Sequence, residues 1–288
     1  VHVTNSEGID ESLKAVGAAC APLTVDLDDL GSTYNAVVPE NWIVGEVTIH
    51  ATAVYSGDEA PGRQEIRYPQ QGAHEYEVVV PPPFHITFVP ITYGSIAARV
   101  EGVDASDYVL EWAWQRFPLD QFDAVYREPL VTQSVDGETW IEASVRVLGE
   151  LRDLRTSDGS DRYYYGLLPL EAFYPGGGRG YFRQPVALGN DWNANGTLGS
   201  GLVSHELGHN FGLLHPPRCD GDTTDTDSAY PYERGMTGVY GYDWEHETLM
   251  LPTATTFMGT CPPWWISDYH YAKILNFRAA EAAASVEP

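Results

Sequence analysis

Lysine is almost missing from this sequence. Only Lys14 and Lys273 occur, and Lys and Arg together number 16 against 41 Asp and Glu. The formal net charge of −25 argues against a nucleic-acid partner, because phosphate binding needs basic surface. The simplest reading of that charge is a solvated acidic exterior, which favours solubility in a crowded or salty medium; a taste for cationic substrates is a weaker one. Cysteine is scarce as well: Cys20, Cys219 and Cys261 leave one over after any single bridge. No run of about 18 apolar residues occurs, so no segment is fitted to span a membrane. No signal peptide is visible and the first residue is Val1, which reads as a mature form or a piece of a longer precursor.

What is present divides into two textures. Residues 1–82 form a β-rich block. Within it, residues 11–20 fit a short helix and residues 34–38 a strand stopped by Pro39. Residues 42–55 fit a longer strand with Val47, Ile49, Ala51, Ala53 and Tyr55 on one face. Gly45 marks a bend near its start. Residues 64–68 and 76–80 are further strands, and Pro81-Pro82-Pro83 closes the block as a stiff linker. The block reads as a small module, with a pro-segment or an extension of the following core as alternatives.

Residues 83–288 change to alternating strands and helices. The pattern predicts a buried strand at 85–91, a helix at 104–117 capped by Asp104 or Ser106, and a strand at 124–132 weakened by Pro129. A helix at 139–155 follows, with Ile141, Val145, Leu148, Leu151 and Leu154 inward, then a strand at 162–170. That order predicts an α/β (α+β) domain, a mostly parallel twisted sheet with helices packed on it. A glycine run at 176–180 leads into residues 181–188 and reads as an exposed edge strand or a plain glycine-rich loop. A last helix is predicted at 267–284.

The most specific stretch runs from Val203 to His215 and contains H-E-x-x-H-x-x-G-x-x-H without a mismatch. On a helix starting near Leu198, capped by Thr197 or Ser200, residues i and i+4 share a face, so His205 and His209 can grip one ion. Glu206 can face the ion's open side, where a water sits. A straight helix would carry a third ligand past the metal; Gly212 can take positive φ and end it, letting His215 return. Three imidazoles and an open position make a catalytic zinc arrangement rather than a closed structural one. The remaining histidines, His2, His50, His74, His85, His246 and His270, read as surface or packing residues.

This motif resembles that of the metzincin zinc peptidases, whose members carry a methionine turn beneath the metal. Met258, in Thr-Phe-Met-Gly-Thr-Cys, fits that turn better than Met236 or Met250. Cys219, the Tyr-Pro-Tyr loop, Met258 with Cys261, and residues 265–269 together resemble a branch of secreted bacterial metzincins close to the mucin-cleaving enzymes. The resemblance implies one catalytic Zn²⁺ on His205, His209 and His215, Glu206 as general base, and an extracellular enzyme cutting a protein or glycoprotein substrate. It implies an edge strand above the cleft, with Gly180, Tyr181, Phe182 and Arg183 holding extended peptide. It also implies a Cys219–Cys261 disulfide, because the third histidine and the methionine turn stack around the metal; the bridge would add roughly 3–4 kcal/mol. One departure stands out: several metzincins have a tyrosine two residues after the turn methionine, and here that position is Thr260, leaving Tyr269 or another loop tyrosine as a substitute.

Other readings remain open on the sequence. Asp220, Asp222, Asp225 and Asp227 can hold Ca²⁺ or form a solvated acidic loop without the EF-hand order. The loop from Tyr230 to Tyr242 can line a side-chain pocket or simply pack on the surface. Cys20 can block the zinc in a latent form, although no switch motif surrounds it. Against a zinc endopeptidase stand a binding module with a zinc site and no catalysis, which has no need of Glu206, and a zinc hydrolase of another substrate, for which no phosphate cradle is present.

Overall fold

The computed structural model describes residues 1–17, 24, 26–57, 60–173 and 176–286. Among them no helix is long and apolar enough to cross a membrane. The chain forms two compact units, Val1–Val80 and Pro81–Pro288.

The first unit is an antiparallel sheet of β1 (His2–Asn5), β2 (Asp10–Ser12), β3 (Glu46–Gly57), β4 (Ala60–Tyr68) and β5 (His74–Glu77), in the order β2-β1-β3-β4 with β5 also on β3. Val47 is buried on β3, but Ile49 and Ala51 are only half-buried and Ala53 is exposed. Val3 and Val47 are the buried hydrophobics of this unit among the described residues, so its apolar face is thin. Gly45 takes φ +66° just ahead of β3, the bend that its sequence suggests. The predicted helix at 11–20 is not formed at its described start, because Glu11 and Ser12 pair with β1 instead; residues 18–20, and with them Cys20, lie outside the described residues. Residues 34–38 make one bridge, Val16 to Asn35, rather than a strand.

In the second unit β6 (Phe84–Tyr93) is central. It is followed by β7 (Ile96–Ala97), α1 (Asp107–Leu110), α2 (Ala113–Arg116), β8 (Phe122–Tyr126), β9 (Leu130–Thr132) and α3 (Trp140–Ser157). Next come β10 (Tyr163–Leu168), β11 (Gly178–Gly180), β12 (Val186–Asn190) and α4 (Ser200–Asn210). Two small pairs, β13 (Gly241–Asp243) with β14 (Thr248–Met250) and β15 (Thr255–Thr256) with β16 (Trp264–Trp265), precede α5 (Asp268–Val286). The main sheet runs β11-β12-β10-β6-β7, with β8 and β9 also on β6. Strands β6, β8, β9, β10 and β12 are parallel, while β7 and β11 are antiparallel. The fold is therefore mixed α+β around a mostly parallel sheet.

Alternation along the strands divides the core. Tyr163, Tyr165 and Leu167 of β10 join Phe84, Ile86 and Phe88 in a cluster with Val203 and Leu207 of α4 and Phe211 at its C-cap. Tyr164 and Leu168 face the other way, with Val89, Ile91 and the α3 residues Val147, Leu148 and Leu151. Period-two strands thus serve a helical layer on each face.

Three predicted elements come out differently. The helix at 104–117 breaks in two at Trp112, whose φ of −131° is not helical; its ring instead lies under the Arg116 guanidinium, 4.1 Å from the ring centroid. The strand at 124–132 splits on either side of Arg127–Pro129, since proline cannot donate to a ladder. Helix α3 has the predicted extent but turns a different face inward. Ala143, Ser144, Val147, Leu148 and Leu151 are buried, whereas Ile141 and Val145 are 62% and 51% exposed. Small residues at 143 and 144 let the helix approach the sheet, which a count of large apolar side chains does not reveal.

Thr139 and Glu142 form a reciprocal capping box at the start of α3. Thr139→Ala should lower stability by about 1 kcal/mol, or ~2–4 °C in Tm for a unit of this size; thermal denaturation followed by circular dichroism reads it.

Candidate metal centre

Helix α4 begins hard against the end of β12. Gly199 is its N-cap, with no side-chain cap, and a Cβ there would collide with the Asn190 carbonyl. Neither predicted cap acts: Thr197 Oγ1 bonds Asn193, and Ser200 Oγ donates to Glu111 Oε2. The helix ends as its sequence predicts. Gly212 takes φ +85°, Leu213 N–H reaches back to Gly208 O at 2.9 Å, and Gly212 N–H to His209 O at 3.0 Å. That pair of bonds is a Schellman closure, and it turns the chain so that His215 faces the helix again.

One ring nitrogen from each of His205, His209 and His215 lies within 4.8 Å of the others, the one such cluster of metal-ligating side chains among the described residues. His205 Nε2 and His215 Nε2 are 3.1 Å apart. The other nitrogens of the first two rings point to carbonyls: His205 Nδ1 to Phe257 O at 3.1 Å and His209 Nδ1 to Leu213 O at 2.9 Å. A carbonyl only accepts, so each Nδ1 carries the proton and each Nε2 keeps a free lone pair. Burial lowers all three pKa values, His205 to about 3 with the charges of His209 and His215 adding to the effect. Neutral imidazoles with oriented lone pairs are the state a divalent cation requires, so the residues present fit zinc.

Glu206 is 4% exposed. Burial pushes its carboxyl up to about 8, against the pull of Arg179 and the Gly180 N–H; a cation among the histidines would draw it down again. The edge strand β11 passes directly over it. A Cβ at Gly178 would lie 2.5 Å from Glu206 Oε1, and one at Gly180 would lie 2.6 Å from the Glu206 carbonyl. Asn210 Nδ2 ties the following turn down through the carbonyls of Tyr181 (2.9 Å) and Val186 (3.1 Å). Of the residues predicted to hold peptide, Gly180 is on the edge strand, while Tyr181, Phe182 and Arg183 are in the turn after it. Phe182 is exposed, and the Arg183 guanidinium stacks on Phe277 of α5.

Met258 is fully buried beneath α4. A Cβ on Gly208 would strike its Sδ. The second variable position of H-E-x-x-H is thus closely packed against the methionine, which the motif alone does not announce; nor does the sequence announce that Gly178 and Gly180 lie directly against Glu206. Cys219 and Cys261 stand at disulfide distance, their Cα atoms 6.3 Å apart.

The acidic loop does not gather its carboxylates. Asp222 Oδ1 takes the Thr224 N–H and hydroxyl, and Asp220 Oδ1 takes the Asp222 N–H. Asp227 is buried, and Oδ2 accepts from Tyr269 Oη and Lys273 Nζ, each at 3.0 Å. Burial alone would raise its carboxyl, but the Ala229 N–H, Lys273 and Tyr269 outweigh that and hold it below the ordinary range. Its own N–H bonds the His215 carbonyl at 2.7 Å. Tyr269, the candidate substitute for a metal-side tyrosine, is thus engaged in this brace. The tyrosine loop packs inward at Tyr230 against Tyr232, Tyr269 and His270. The cavity that touches His205 and Glu206 is lined instead by residues such as Trp112, Asn190, Leu198 and Trp264.

A family model, Peptidase M66, matches residues 171–258. That stretch spans β11, β12, α4, the third histidine and the turn methionine, and the match supports a metallopeptidase. A search of curated proteins finds no match. Among solved structures, one described as "Structure of a chaperone-substrate complex" aligns at 13% identity with a TM-score of 0.37, over 83% of this chain and 41% of that one. The chain therefore spans less than half the length of that structure.

Lys273→Met would leave the buried Asp227 carboxylate without its cation and loosen the bond to His215. Zinc affinity, measured by chelator competition, should fall about 10–100-fold, with Lys273→Arg restoring most of it. An unchanged affinity in Lys273→Met would dismiss the brace.

Proposed function

We propose that residues 83–288 are the catalytic domain of a secreted zinc endopeptidase of metzincin type, with residues 1–82 an ancillary β-rich module. The observation that carries this reading is the convergence of three imidazoles, two of them fixed through Nδ1 by carbonyls, beside the buried carboxyl of Glu206. The resemblance to metzincins, and the closeness in sequence to the secreted, mucin-cleaving branch, supply the finer class.

His205, His209 and His215 would hold one Zn²⁺. When bound, the ion supplies Lewis acidity, lowering the pKa of a water and polarising the substrate carbonyl. Glu206 takes the proton from the attacking water and passes it to the leaving nitrogen. Besides burial, the groups acting on its carboxyl are Arg179, through its charge, and the Gly180 N–H. Strand β11, at the sheet edge, offers its outer N–H and C=O groups to an extended peptide. Met258 packs under the ligands and sets their depth. A protein or glycoprotein is the substrate this arrangement suits. The extracellular setting is supported by the Cys219–Cys261 pair, because such bridges persist in oxidising compartments. A zinc-holding module without catalysis leaves the buried Glu206 unexplained, and burying an unused carboxylate is costly.

Glu206→Gln should retain the fold and about one zinc per chain while lowering peptide hydrolysis by roughly 10²–10⁴-fold, because the amide can hold the water but not accept its proton. Metal analysis and cleavage of a diverse peptide library, read by mass spectrometry, check both halves. Near-parental cleavage by the variant would remove Glu206 from the role of base.

A further inference from the structure

The turn that follows β11 is fixed along its length. The Tyr181 N–H bonds the Val186 carbonyl at 3.0 Å, and the Arg183 N–H bonds the His209 carbonyl at 3.0 Å. Asn210 Nδ2 holds the carbonyls of Tyr181 and Val186 from below. Arg183 takes φ +58° in this turn, a conformation that glycine or asparagine adopts more readily. Its stem lies across Gly212, where a Cβ would come within 3.2 Å of Cγ and 3.5 Å of Cδ. Its guanidinium carbon stands 5.5 Å from the centroid of the Phe277 ring. The residue is exposed, yet its side chain is laid down on two supports. That reduces the rotamer freedom that a ligand contact has to remove.

What this side chain does not have is a partner. Among the described residues, every other arginine whose side chain is described gives its guanidinium to a carboxylate, a carbonyl, an amide or a hydroxyl. Arg183 alone has neither a hydrogen-bond acceptor nor a carboxylate in ion-pair range among those residues; its one recorded contact of charge is the Phe277 ring. The chain has 41 acidic residues, so carboxylates are not in short supply. The negative end of the α4 dipole is close and favours a cation here. That accounts for a positive charge at this place, not for a full set of unused donors. A guanidinium stacked on a ring keeps its N–H edge free, and that edge matches a carboxylate in fork geometry.

Position then connects the free edge to a substrate. The turn begins directly after Gly180, the last residue of β11. A peptide that pairs with the outer edge of β11 leaves that strand past Gly180 and runs onto the turn. Its residues on that flank meet a preorganised cation in a chain of net charge −25. A polyacidic segment is repelled by such a protein as a whole, whereas one acidic side chain at the right place gains a partner.

Resting on the peptidase reading above, we propose that Arg183 is the recognition group of an acidic subsite. It takes the carboxylate of an Asp or Glu side chain on the part of the substrate that runs past Gly180, on one side of the scissile bond and not the other.

The test uses the full chain loaded with zinc and matched peptides in which one residue at a time, on either side of the cleaved bond, is Gln, Glu or Lys. At a position on one side alone, Glu should raise kcat/KM about three- to ten-fold over Gln at low salt, and the gain should shrink as salt is added. Arg183→Gln should bring that ratio to about one, Arg183→Lys should keep part of it, and Arg183→Glu should turn the preference to Lys. A side chain that only braces the turn would move Tm and leave the ratio alone, so Tm and zinc stoichiometry of each variant are read alongside. Glu no better than Gln at every position, or a ratio unmoved by Arg183→Gln, overturns the subsite while peptide cleavage stands. Zinc-loaded parent chain that cleaves none of the peptides overturns the peptidase reading and the subsite with it.

Discussion

Helix α4 is gripped from two sides, and at each closest approach one of the two partners is a glycine. Above it, Gly178 and Gly180 let β11 lie against Glu206; below it, Gly208 admits the Met258 sulfur. Gly180 is a steric necessity, since an added Cβ would overlap the Glu206 carbonyl, whereas at Gly178 and Gly208 the Glu206 side chain or the Met258 sulfur would have to shift in a tightly packed interior. The position of His205 and His209 follows from this grip. The sheet edge fixes the upper face of α4, and the Met258 turn fixes the lower. The Phe257 carbonyl, one residue before the methionine, then sets the tautomer of His205. A steric constraint between backbone elements is thereby converted into an electronic property of the site.

His215, the third histidine of the cluster, needs a different kind of support, because it lies beyond the helix, where no ladder of backbone bonds holds it. Its carbonyl is fixed by the Asp227 N–H, and Asp227 is fixed by Tyr269 and Lys273 of α5. In a chain with two lysines and 41 acidic residues, placing one of them at this carboxylate is economical. Most of the acidic groups are dispersed over exposed surface, where solvent screens them, whereas Asp227 is buried and needs its charge answered. The large net charge and the local neutrality of the site are therefore compatible, because they belong to different dielectric surroundings.

The sequence displays some of this organisation and hides the rest, for identifiable reasons. The histidine spacing, the helix-ending glycine and the methionine 43 residues beyond His215 are local or strongly typed signals, and the structure brings those residues together. Strands β6 and β10 are legible in the sequence as short apolar runs between helical stretches. The inward face of α3 was not, because the contact uses Ala143 and Ser144, and small residues register weakly in any count of hydrophobicity. The break at Trp112 was hidden for a related reason. Residues 104–117 have an acceptable helical stripe, but the indole is worth more against Arg116 and Gly201 than on that stripe, so a tertiary contact overrides a local preference. Glycines at 178, 180 and 208 are visible as letters; that each is compelled by a neighbour far away in sequence appears only once the chain is folded.

The same distinction separates glycines that the fold compels from a glycine that it only tolerates. Where the folded chain supplies a clash, as at Gly199 and Gly208, architecture accounts for the residue completely. Where it supplies only ordinary contact, as at Gly201, the helix bears a small penalty with no structural return. Glu206 bears a cost of another kind, a carboxyl held in a buried site with the Gly180 N–H and the charge of Arg179 acting on it. Both features weaken the resting protein slightly, a trade that stability alone does not explain.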